Sequence, residues 1–204
     1  MKRLAAVVLG LAVVAPLSSP VIASDGFSEP LVALRGADRI GNASQTDTSP
    51  APAPPPAPTA STQVQQVLDL VNAERTSRGL VPVSLSAELN TASHAHTERQ
   101  AADGSIFHQD PQDGSSPGDR IGRAGYSFST WGENVAAGYP TAEAVMNGWM
   151  TSPGHCRNIL NPGFTEMGVG FVTGGERFNQ FWTQVFARPS GVDRPAGTYN
   201  PAWC

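Results

Sequence analysis

The sequence predicts an α+β domain: a three-layer α-β-α sandwich with a small antiparallel sheet. Three observations carry this. Apolar residues recur at helical spacing through the earlier part of the domain. Strand-like runs come only late, at "MGVGFV" (Met167 to Val172) and "RFNQFWTQVFA" (Arg177 to Ala187). The second run carries bulky groups on both faces. Phe181, Thr183 and Val185 point one way, and Trp182, Gln184 and Phe186 the other. A strand of that kind is central and covered on both sides. Helices that precede an antiparallel pair and pack on both its faces make three layers.

The elements follow in order. Lys2 and Arg3, the apolar run Leu4 to Leu17, and Val21-Ile22-Ala23 before Ser24 have the form of a signal peptide over residues 1–23. A membrane anchor is the competing reading, but Pro16 and Ser18-Ser19 break the run short of the roughly 20 apolar residues a span needs. Residues 24–60 form an expected disordered, Pro/Ala-rich linker ending in "SPAPAPPPAPTA". Prolines at that density favour extended polyproline II, a semi-rigid spacer or simple filler. The domain proper is expected over 61–189, followed by a Pro/Gly-containing tail over 190–204.

Val64, Val67, Leu68 and Val71 mark the first helix, with Thr62 as cap and Gly79 as stop. The second is expected from Ala87 to Asp103, between Ser86 and Gly104, with Leu89, Ala92 and His96 inward. "SPGDRIGRAG" places Pro117 in the first turn of a short helix that Gly125 ends. Thr141 caps a fourth helix with Val145, Met146, Trp149 and Met150 inward, and Pro153-Gly154 is expected to end it.

Composition narrows the function. The net charge is −4 and there is no basic block, so nucleic acid is not an expected partner. No further segment is apolar enough to span a membrane once the leader is cleaved. Export implies a compartment where disulfides persist. The two cysteines, Cys156 and Cys204, are expected to form a bridge that pins the tail. A bridged Cys156 is no nucleophile. There is no Gly-x-Ser-x-Gly elbow and no His-Glu-x-x-His, so neither a serine hydrolase nor a familiar zinc protease is indicated.

Four stretches stand in a telling order: "IFH" (Ile106 to His108), "GENVAAG" (Gly132 to Gly138), "GWMTSPGHCRNIL" (Gly148 to Leu160) and "FWTQVFA" (Phe181 to Ala187). "DRIGRAGY" and "FTEMGVGF" lie between them. Over about residues 64–187 the chain resembles the CAP superfamily of cysteine-rich secretory proteins, antigen 5 and pathogenesis-related 1. It is most similar to the bacterial secreted branch, where Trp-x-x-Ser-Pro-Gly-His and Asn-Ile-Leu recur. The resemblance implies an α-β-α sandwich and a central cleft holding two His and two Glu. His108 matches the first family His, and Glu133 the first family Glu. The other two positions are occupied by Ser152 and Phe181, so the tetrad is incomplete, and His155 is a candidate to refill the cleft.

His108, Glu133 and His155 are therefore the candidate cleft residues. As a His₂Glu set they would suit a divalent ion, zinc by preference, with an open position for water. The plainer alternative is structural. His108 would bond a backbone carbonyl, Glu133-Asn134 would sit in a hydrogen-bonded turn, and His155 would lie at the C-terminal end of the fourth helix, where the dipole favours positive charge. His94 and His96 point to different sides of the second helix, His94 solvated and His96 a satisfied core residue. Arg75 reads as a structural ion-pair or cap partner. Trp149, Trp182 and Phe186 read as core, with a lipid-lining set as the alternative.

The expected function is a noncatalytic, secreted or cell-wall-associated binding module. Its partner would be a small hydrophobic or lipid ligand, as the family resemblance implies, or a cell-envelope component. The alternatives are a zinc-dependent hydrolase using His108, Glu133 and His155, and a structural envelope protein.

Overall fold

A computed structural model describes residues 60–175 and 177–204. The expected signal peptide and all but the last residue of the expected linker lie outside the described residues. Helix α1 runs from Ala60 to Thr76, so Thr62 lies inside it. Gly79, at φ 71°, turns the chain into an extended segment and the short strand β1, Ser84–Leu85.

Local signals set the next helices where expected. Helix α2 spans Ala87–Asp103, with the Ser86 hydroxyl accepting from the Leu89 N–H and Gly104 in the left-handed conformation at its end. Helix α3, Pro117–Arg123, opens on a capping box between Ser116 and Asp119. Helix α4, Ala142–Met150, is capped by Thr141. Each cap satisfies backbone donors that have no partner within the helix.

Pro153-Gly154 does not end α4. The helix stops at Met150, and Pro153 is the first residue of another helix, α5, Pro153–Ile159. Proline suits that position because its missing N–H would have no partner there and its φ is already helical. His155 therefore sits in the first turn of α5 and not at a helix C-terminus. The expected turn at Glu133-Asn134 is also replaced, by a ten-residue strand β2, Phe128–Ala137.

With β3, Glu166–Thr173, and β4, Gln180–Pro189, the sheet has the order β1-β3-β4-β2. Strand β4 pairs antiparallel with both β2 and β3, and β1 adds a two-residue parallel edge. Strand β4 is thus interior, as its two bulky faces required. Trp182 and Phe186 join the core under α1, α4 and α5, while Val185 and Ala187 join the core under α2 and α3. Among the described residues no helix is long and apolar enough to cross a membrane.

Two glycines of β3 allow α2 to lie directly on the sheet. A Cβ at Gly168 would overlap the Leu89 carbonyl and the Asn90 amide, and one at Gly170 would overlap Ser93 and Thr97. Backbone entropy alone would make Gly168→Ala stabilising by under about 1 kcal/mol. Overlap with backbone atoms opposes it at about 1–3 kcal/mol and prevails. Gly168→Ala is therefore expected to lower the urea midpoint; an unchanged or raised midpoint would show that α2 can move away without cost.

The tail is held as expected. Cys156 and Cys204 form a disulfide with Cα atoms 5.8 Å apart. Tyr199 and Trp203 pack against the core that contains Cys156.

Candidate functional site

The polar centre is built by β2. Alternation along the strand turns Glu133 toward α2 and α3 and Asn134 toward α5. Glu133 is 2% exposed. Its Oε1 accepts from His108 Nδ1 at 2.8 Å and its Oε2 from Arg120 at 2.8 Å. The same guanidinium donates to the His108 carbonyl at 2.9 Å. A buried carboxylate needs compensation of this kind. His96 Nε2 donates to the Phe107 carbonyl at 2.8 Å and lies 4.0 Å from Glu133 Oε1. Its pKa is lowered, first by burial.

On the other face, Asn134 donates to Gln184 Oε1 at 2.9 Å and to the His155 carbonyl at 3.3 Å. Asn158 donates to Asn134 Oδ1 and to the Glu133 carbonyl. This network ties α5 to β2.

The three candidate residues do not converge as one ligand set. His108 and Glu133 are directly bonded. His155 contributes no side-chain hydrogen bond to them. Both Glu133 oxygens are engaged, one by a guanidinium, and a cation there would have to displace that positive charge. Among the described residues no three His, Cys, Asp or Glu side chains are placed to hold a metal ion. The donor set does not fit the expected His₂Glu centre. Ser152, at the second family Glu position, is the N-cap residue of α5, and Phe181, at the second family His position, is fully buried.

His155 has a different setting. It is 2% exposed, and neither ring nitrogen has a hydrogen-bond partner among the described residues. It lines a cavity of about 180 Å³ together with Ile106, Val135, Tyr139, Trp149 and Phe178. The Trp149 indole N–H is likewise buried without a partner among the described residues. Burial, and then the proximity of His108, depress the His155 pKa to about 4, so the ring is neutral at pH 7.

That depression has a stability consequence. Between pH 6.5 and 4 the unfolded chain binds a proton at this position that the folded protein resists. Stability is therefore complete above pH 6.5 and is lost as pH falls toward 4. About 2–3 kcal/mol is expected to disappear between pH 7 and about 4.5. Urea unfolding at both pH values checks this beside His155→Gln, whose loss should be smaller by that amount. Equal losses would remove His155 as the cause.

Residues 68–186 match the family model for CAP, the cysteine-rich secretory protein family. The chain belongs to this family. Among curated relatives of this CAP domain, the uncharacterized protein YkwD of Bacillus subtilis is 40% identical over 126 residues, which is 62% of this chain and 47% of YkwD. The uncharacterized membrane protein YlbC of the same organism is 31% identical over 128 residues, 63% of this chain and 35% of YlbC. The chain thus spans less than half the length of these relatives. A Bacillus anthracis structure, of an extracellular protein containing an SCP domain, matches with TM-score 0.57 at 31% identity, over 63% of this chain and 41% of that one. An outer surface protein of Borrelia burgdorferi shares the fold, with TM-score 0.57 at 18% identity, over 62% of this chain and 92% of that one.

Sequence reasoning missed two members of the CAP centre. Arg120 lies inside "DRIGRAGY" with nothing to mark it as a partner. The signal available was that a buried Glu133 needs a cation, though nothing local named which one. His96 was expected in the core and is there, but beside Glu133. His94 is solvated as expected, its side chain 53% exposed.

Proposed function

We propose that this protein is an extracellular binding module whose CAP domain holds a small, partly apolar group bearing a hydrogen-bonding atom, in the cavity at His155. The observation that carries the reading is His155 itself. It is a neutral imidazole, almost fully buried, with both nitrogens unpartnered in the wall of a cavity. Leaving buried polar atoms unpaired costs about 1–3 kcal/mol each, and a ligand that pairs them recovers it. The unpartnered Trp149 N–H in the same wall adds a donor. Val135, Ala136, Ile106 and Phe178 supply apolar surface.

Size sets the ligand class. An engineered protein cavity of about 150 Å³ takes benzene. At about 180 Å³, the His155 cavity suits a group of that order, such as one side chain or a short branched alkyl group, and not a whole lipid chain. Export is supported by the leader-like residues 1–23 and by the likeness to the Bacillus anthracis relative, an extracellular protein.

A crystallographic fragment screen tests the reading. Small aromatic or aliphatic fragments bearing a hydroxyl or amide are expected to collect at His155 in hydrogen-bonding contact with its ring. They should be absent from that place in His155→Leu. Fragments that settle on other surfaces and leave this cavity empty would sink the reading.

A further inference from the structure

Among the described residues, Arg177 is the one permanently charged side chain in the wall of the His155 cavity. It lies with Phe178 between β3 and β4 and is exposed. A surface guanidinium is usually paired with a carboxylate or a carbonyl. Arg177 forms no hydrogen bond or ion pair among the described residues. Its recorded contact is with an aromatic ring: the guanidinium carbon stands 5.3 Å from the centroid of Phe178, within cation–π range. Phe178 also lines the cavity and packs edge-on against Phe181, which is fully buried. The positive charge is thereby anchored to the core where the cavity wall reaches solvent. A ring contact leaves the N–H donors of the guanidinium unpaired.

The polar balance of the wall is one-sided. The Trp149 indole N–H can only donate, and it has no partner among the described residues. The neutral His155 ring supplies one donor and one acceptor. Arg177 adds its donors and a full charge. The Ser105 hydroxyl already donates to Asp103, which is not part of the wall. No carboxylate lines the cavity among the described residues. Free donors outnumber free acceptors, and the charge at the mouth is positive. An acceptor that carries one negative charge answers both.

We infer that the guest is a small monocarboxylate, an aryl or branched-alkyl acid, with its apolar body in the cavity beside His155 and its carboxylate on Arg177 at the mouth. This rests on the proposed binding reading and names the charge and size of its ligand. The guanidinium fork matches a carboxylate through two parallel bonds. A phosphate, with nearly twice the charge, would leave negative charge uncompensated against apolar walls. Only the body of the acid needs enclosed space, and about 180 Å³ suits a group the size of benzene.

The test titrates ¹⁵N-labelled protein at neutral pH with benzoate and isovalerate, beside the uncharged isosteres benzamide and isovaleramide. All four are expected to shift the Trp149 indole signal. At least one acid should bind more tightly than its amide by about threefold to tenfold, the range between an exposed ion pair and a charge-assisted bond removed from water. Raising the salt from about 0.01 M to about 0.15 M should narrow that gap without weakening the amides. Arg177→Gln changes an exposed side chain and should abolish the preference while the amides bind as before. His155→Leu should remove binding of acids and amides alike. If the amides bind as tightly as the acids, or if the preference survives Arg177→Gln, the carboxylate inference is overturned and the cavity reading stands. Acids that bind without shifting Trp149 would overturn it too. If neither acids nor amides reach the cavity, both fail.

Discussion

Arg75→Met is expected to lower the unfolding free energy by about 3–5 kcal/mol. Arg75 is wholly buried on α1, and its guanidinium serves four backbone carbonyls. Nε donates to Val81 at 2.9 Å, one terminal nitrogen to Ile159 at 2.8 Å and Asn161 at 2.9 Å, and the other to Phe164 at 3.1 Å. No carboxylate compensates the charge among these partners. The carbonyl dipoles do so, Ile159 standing at the C-terminus of α5 where partial negative charge gathers. Burial lowers the pKa to about 10, so the group remains protonated at neutral pH.

Methionine keeps much of the stem's apolar contact but leaves the four carbonyls without their donor. Replacing a buried ion pair entirely by apolar groups is often neutral, yet removing one side of a satisfied set is not. Arg75→Lys should fall between, because a single ammonium cannot reproduce the planar fork. Urea unfolding of the three proteins decides it. A loss below about 1 kcal/mol for Arg75→Met would show that water or rearrangement satisfies the carbonyls. The residue also explains why α1, the β1 approach and the segment after α5 stay together, since it bonds to the last two from the first.

The second large effect is expected on removing the Cys156–Cys204 bridge. The linked residues are 48 apart in sequence. In the chain-entropy model a closed loop of that size disfavours the unfolded state by about 4 kcal/mol. Cys156 is fully buried in the core, so the bridge ties the segment after β4 to the packed structure. Cys156→Ala with Cys204→Ala should lose most of that amount, and reduction of the natural protein should do the same. Unfolding followed with and without reductant provides the measurement. A difference under about 1 kcal/mol would mean that the unfolded chain is already constrained without the link. The bridge also starts at the residue after His155. Its loss is expected to loosen the cavity wall, seen as faster amide exchange across α5.

Much of this architecture was legible in advance because it depends on neighbours in sequence. Ser86, Ser116 and Thr141 cap helices through bonds to residues three positions on. Such bonds are written in the local order of side chains. The central place of β4 was likewise readable from its two bulky faces, and the disulfide from an even cysteine count in a chain with a leader-like N-terminal segment. The errors occurred where local pattern and through-space chemistry diverge. Strand β2 buries Glu133 and Asn134, so its inward positions look polar and the strand reads as a turn. Pro153-Gly154 reads as a stop, although proline is equally at home in the first turn of the following helix.

By itself the sequence determined the family, the three layers, most helix boundaries and the bridge, because periodicity, caps and motif order act at short range. Only the tertiary structure decided which cation answers Glu133, and that His155 lines a cavity with no hydrogen bond from its ring to the His108–Glu133 pair. Those outcomes depend on which side chains and backbone groups the sheet register brings together across the fold. A buried polar group accepts whichever partner lies within hydrogen-bond reach, and reach is a property of the folded chain.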